Sequence, residues 1–227
     1  MNGLIYNQKH IPKEEHRYGF RASAKTGCGW VATYNALRLM GYRTDIDELI
    51  RYYEWQLPLI HGNAGTSFWG PALCFRNWGF PVKMVVDRKR FDQEAKQADV
   101  CILFYRWQKK AKFGAHFVAL HHTDKGFIGY NTYTNSTGPD HYGESLDGFL
   151  KARKYFGCVL IAIQKSKPKQ ARGALPLPYA FYKTKSAPIG TQTKKSYSSA
   201  PSVGLPTQRC CVSNQSQARI GCRPMPT

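Results

Sequence analysis

Cys28 stands between Gly27 and Gly29 at the mouth of an apolar stretch, Trp30-Val31-Ala32-Thr33-Tyr34-Asn35-Ala36-Leu37. The first turn of a helix carries unpaired N–H groups and a partial positive charge. A thiolate placed there is stabilised, and a cysteine pKa falls from ~8.5 into the range of about 3.5–7.5. The competing account is a small buried hydrophobe, which describes Cys74, Cys101 and Cys158, each set inside an apolar run. The flanking glycines and the helix start point Cys28 to nucleophilic chemistry instead.

A thiol nucleophile needs a base. His116 opens a strand-like run, Gly114-Ala115-His116-Phe117-Val118-Ala119-Leu120, and is the leading partner. A short polar turn at Thr123-Asp124-Lys125-Gly126 leads into a second run, Phe127-Ile128-Gly129-Tyr130-Asn131-Thr132-Tyr133. Antiparallel pairing of the two runs brings Asn131 near His116, where its amide could orient the imidazole. Taken singly, His116 and Asn131 are ordinary strand residues; it is the set of three that carries the expectation. His121 and His122 are neighbours on a strand and face opposite sides, so they cannot share a site. Neither a Cys-x-x-Cys nor a His-Glu-x-x-His spacing occurs, so no metal and no cofactor is expected.

The order Cys28, His116, Asn131 resembles the papain-like cysteine peptidases. The Gly-Cys-Gly start, the helix bearing Ala32 and Asn35 and the compact histidine hairpin are similar to the branch that cleaves double-glycine leaders, the peptidase C39-like group. That resemblance implies an α+β papain-like fold over residues 1–164, with N-terminal helices packed on a twisted antiparallel sheet. It also implies a thiol protease that hydrolyses peptide bonds through a thioester. Members of that branch place Asp where this chain has Asn131, and a glutamine oxyanion donor a few residues before the cysteine, where this chain has Ala22. Gln8 is the sole upstream glutamine; it reaches the site if the polar segment from His10 to Gly19 loops back. Trp69, His61 and Tyr133 are candidate substrate-binding residues, on loops expected to flank a cleft.

Two other readings stay open. Cell-wall amidases of the CHAP type also use a helix-start cysteine and a strand-start histidine, and the pair Cys28-Gly29-Trp30 and Gly114-Ala115-His116 is similar to theirs. Alternatively, a papain-like fold lacking its oxyanion glutamine serves as a binding module.

The supporting elements follow from periodicity. Residues 30–40 carry an apolar face at helical spacing and stop at Gly41; Thr44 or Asp45 caps a second helix with Ile46, Leu49, Ile50 and Tyr53 on one face; a third spans 67–78, with Pro71 in its first turn and Gly79 after its end. Strand-like runs are expected at 82–86, 100–105, 115–122, 127–133 and 158–163, with helical segments at 91–97 and 145–153.

Of the formal charge of +19 on 227 residues, residues 165–227 hold 11 Lys or Arg and no acid, leaving +8 on residues 1–164. This basic segment, rich in Pro, Ser, Gly and Gln, is expected to be a disordered tail able to meet an acidic partner through salt-sensitive contacts. It shows no nucleic-acid-binding signature. Seven cysteines do not read as a disulfide framework. No apolar stretch approaches ~20 residues and no leader pattern is seen, so cytoplasmic placement is the default expectation.

Overall fold

A computed structural model describes residues 3–56 and 65–165, apart from the side chains of Trp55 and Gln56. The chain divides into two units, Met1–Ala187 and Pro188–Thr227, and every described residue belongs to the first. The expected tail, 165–227, lies outside the described residues except for Lys165.

The fold is α+β. An extended strap with one 3-10 turn, Gln8–His10, leads into a two-stranded ribbon, β1 (Arg17–Tyr18) and β2 (Arg21–Ala22). Then come α1 (Ser23–Thr26), α2 (Cys28–Leu39), α3 (Ile46–Gln56) and α4 (Gly70–Asn77). The remainder runs β3 (Val82–Val85), α5 (Phe91–Gln97), β4 (Val100–Lys109), β5 (Lys112–Thr123), β6 (Gly126–Tyr130), β7 (Asp140–Gly143), α6 (Leu146–Ala152) and β8 (Phe156–Ile163). Six strands form one antiparallel sheet in the order β3-β8-β4-β5-β6-β7.

Local chemistry sets the boundaries. After α2 the Tyr42 N–H returns to the Leu37 carbonyl at 2.9 Å while Gly41 takes φ 83°, a left-handed position that glycine occupies without steric cost. Asp45 accepts the Glu48 N–H at 3.0 Å and so starts α3. Residues 100–105 of β4 are buried without alternation because both faces of the sheet are covered. Trp30, Tyr34 and Leu37 of α2 pack with Ile102, Phe117 and Ile161 on one face. Phe91 of α5 and Leu146 and Leu150 of α6 pack with Leu103, Val118 and Leu160 on the other.

Helices therefore cover both sides of the sheet, rather than the N-terminal set alone. The ribbon β1–β2 replaces part of the loop expected before Cys28, and it buries Tyr18 completely. A sixth strand, β7, lies where only a loop was expected, and β6 ends at Tyr130 rather than at residue 133 because Asn131 turns the chain with φ 67°.

Candidate active site

Cys28 is the first residue of α2, and its side chain is only partly exposed. Main-chain hydrogen bonding from Phe117, Gly29 and Cys28 itself favours the thiolate. Helix α2 packs on β5, and Cys28 packs against the core that holds Phe117, the residue after His116, so the two segments are neighbours. Burial opposes this hydrogen bonding and wins, pushing the thiol up to about 11. The lowered thiol expected at a helix start is thus corrected: main-chain hydrogen bonding does not offset removal of the charge from water.

The glycines beside Cys28 have a packing role. A Cβ on Gly27 would meet Trp30 Nε1 at 2.6 Å, and one on Gly29 would strike the Thr66 side chain. Thr66 is itself held by a hydrogen bond from its hydroxyl to the Tyr18 hydroxyl at 3.2 Å.

His116 is half-buried on β5, opposite Tyr105 of β4, whose ring stands edge-on 5.9 Å away. Its Nε2 lies 2.6 Å from the main-chain carbonyl oxygen of Asn131. A carbonyl only accepts, so Nε2 carries the proton and Nδ1 carries the lone pair. Burial holds the imidazole below its ordinary value of 6.5, the Asn131 carbonyl works the other way, and the charge of Lys9 adds to the lowering. Burial thus favours the neutral form of both groups.

Asn131 meets His116 as expected, but through its backbone and not its amide. That corrects the role assigned to its side chain. The side chain instead locks Gln8: Asn131 Oδ1 accepts the Gln8 N–H at 2.8 Å, and Asn131 Nδ2 donates to Gln8 Oε1 at 3.0 Å. Gln8, buried beside the site, donates from Nε2 to the Ala24 carbonyl at 3.3 Å, which leaves its second amide N–H uncommitted. The strap is fastened further along its length. Asn35, wholly buried on α2, accepts the Ile5 N–H and donates to the Ile5 carbonyl, both at 2.8 Å, and Asn7 donates to the Thr134 carbonyl at 2.8 Å.

A cleft of about 620 Å³ opens over His116, Asn131 and Gln8. Tyr133 lines it, with Arg153 held 5.1 Å above the Tyr133 ring. Trp107 lines it as well, and Gly114 lets that indole lie flat across the hairpin, since a Cβ there would collide with the ring. Trp69 does not line this cleft: it precedes α4, 44% exposed, with its ring 4.5 Å from that of Phe68. His61 lies outside the described residues. His121 and His122 pair separately with Tyr130 and Phe127. Sequence reasoning missed Lys9, Trp107 and Arg153, which come from three distant segments and share no local pattern.

Cys28, Cys74, Cys101 and Cys158 are free thiols, and the last three are buried. No group of three His, Cys, Asp or Glu able to hold a metal occurs among the described residues. No helix among them is long and apolar enough to cross a membrane. No protein-family model matches the chain, and no curated protein matches it in sequence.

Proposed function

We propose that this protein is a papain-like cysteine hydrolase that cleaves peptide bonds through a thioester, with Cys28 as nucleophile and His116 as base. One observation carries the reading. Cys28 packs against the core that holds Phe117, the residue after His116, while His116 gives its Nε2–H to a main-chain carbonyl, which leaves Nδ1 with a lone pair able to act as base. A thiol on the first long helix and an imidazole on a strand of the sheet packed against it match the papain-like arrangement.

The mechanism runs from neutral partners. His116 Nδ1 takes the Cys28 proton as the sulfur attacks the amide carbon, so no thiolate–imidazolium pair has to exist beforehand. The electron pair of the C=O bond moves onto oxygen, where the Cys28 N–H and the free N–H of the Gln8 amide serve as donors. Collapse breaks the C–N bond, and the imidazolium protonates the departing amine. Water then gives a proton to Nδ1 and attacks the thioester, the C–S bond breaks, a carboxylic acid leaves and the proton returns to sulfur.

The test is Cys28→Ala. Turnover of a peptide cleaved by the wild-type protein is expected to vanish while the thermal melt stays within a few degrees; undiminished cleavage removes the proposal. The thiol raised to about 11 favours one other reading, a binding module without catalysis. Wild-type protein that cleaves no member of a broad peptide library, yet retains peptides in its cleft, would select that reading.

A further inference from the structure

The charge around the cleft is one-sided. Lys9, Lys25, Lys109 and Arg153 line it, and no Asp or Glu does. Four Lys or Arg side chains outside the cleft bind carboxylates: Lys83 and Arg90 both bind Glu94 at 2.6 Å, and Arg88 and Lys151 both bind Asp147, at 2.9 and 2.5 Å. None of the four cleft cations has such a partner among the described residues. Arg153 rests on the Tyr133 ring, which positions its guanidinium without neutralising it. The walls between the cations are aromatic, from Tyr105, Trp107, Tyr133 and Tyr155. Low-dielectric walls lined by one sign of charge concentrate the field and draw in ligands of the other sign.

We infer that the cleft, which His116 lines and Cys28 does not, selects acidic peptides, seating an Asp or Glu side chain of the substrate among these cations. The cations supply the recognition, and the aromatic walls cover the peptide's apolar atoms. The choice also helps the chemistry. Lys9 repels a proton on His116, so a substrate carboxylate against Lys9 relieves that repulsion when the imidazole takes the thiol proton. The cleavage step rests on the hydrolase reading above; the selection of acidic peptides does not.

The experiment has a binding arm and a cleavage arm. For binding, the Cys28→Ala protein is titrated with two matched pools of short, end-blocked synthetic peptides, one containing Asp and Glu and the other Asn and Gln in their place. Two new partly exposed ion pairs predict about tenfold tighter binding of the acidic pool. That preference is expected to fade near about 1 M salt, where charges are screened within ~3 Å. Adding Arg153→Glu and Lys109→Glu is expected to abolish it, whereas Lys125→Glu, on the β5–β6 turn outside the cleft, keeps it. Equal binding of the two pools, or the same loss with Lys125→Glu, overturns the inference. So does equal displacement of both pools by dextran sulfate, which would mark unspecific attraction of polyanions.

For cleavage, the wild-type protein is given the same pools, and the acidic pool is expected to show the higher kcat/KM. Cleavage without preference overturns the acidic selection and leaves the hydrolase standing. Selective binding by Cys28→Ala with no cleavage by the wild type sinks the hydrolase and leaves the acidic selection standing.

Discussion

The division of labour at Asn131 can be tested by a double-mutant cycle with Gln8. In Asn131→Gly the main-chain carbonyl that accepts from His116 is retained, and glycine takes φ 67° readily. The Gln8 N–H and Oε1, held at 2.8 and 3.0 Å, lose their partners. A buried polar group left unpaired costs about 1–3 kcal/mol, so the pair costs about 2–6 kcal/mol, nearer the low end where cleft water reaches them. At ~2–4 °C per kcal/mol, the melt falls by about 5–12 °C. Asn131→Ala is expected to fall further, by about 1–2 kcal/mol, because its Cβ opposes the left-handed backbone. In activity, Asn131→Gly reaches the reaction only through Gln8, so its loss is bounded by that of one oxyanion donor, about 100- to 1000-fold. The double variant Gln8→Ala/Asn131→Gly should then be no slower than the slower single one. The assay is kcat/KM on one cleaved peptide, well below the lowest melt. Were the Asn131 amide the group that orients His116, its removal would cost about 10⁴-fold and multiply with Gln8→Ala. That multiplication refutes the carbonyl's role.

Titration gives a second handle. Iodoacetamide alkylation of Cys28 is expected to climb with pH toward its raised value of about 11, with no plateau between pH 5 and 8; a plateau there would mean a preformed ion pair. His116 is held below 6.5, so its folded form binds a proton less readily than its unfolded form, and its contribution to stability is lost as pH falls through the folded value. His116→Gln should therefore lose less stability than wild type on acidification below 6.5, by denaturant melts; parallel curves would contradict the lowered value. Gly29→Ala forces a methyl group into Thr66 and is expected to cost about 1–3 kcal/mol, seen as a lower melting temperature. Asn35→Ala frees both Ile5 hydrogen bonds. Amide exchange at residues 4–8 should rise and kcat/KM should drop with the displaced Gln8, and unchanged exchange would show that the strap is held by other contacts.

The parts legible in the sequence are those governed by local rules. Helix α2 follows from its apolar period and its glycine stop, and β5–β6 follows from two apolar runs joined by a short polar turn. Those elements were enough to bring together the segments bearing Cys28 and His116. The Asn131 carbonyl could not be read because a backbone angle, rather than a side-chain type, makes the contact. Gln8 sits 20 positions before Cys28, and the ribbon β1–β2 folds up the intervening chain around Tyr18, a residue with no neighbouring pattern to flag its burial. Strand β7, Asp140-His141-Tyr142-Gly143, is too short and too polar to alternate visibly, and only its edge pairing with β6 defines it. The thiol's titration turned on a contest between helix-end donors and burial, and burial is a property of the packed molecule.

Fastening by Asn35, Asn131 and Thr134 has a consequence for how the molecule can be taken apart. Residues 12–15, Pro-Lys-Glu-Glu, are all exposed and join the strap to the ribbon. Trypsin scission after Lys13 would leave the strap seated by side-chain amides and by Ile5 and Ile11 in the core, without a covalent link to the ribbon, as a detachable piece carrying one wall of the pocket. Turnover would then depend on the concentration of that fragment, vanishing on dilution and returning when a synthetic copy is added back.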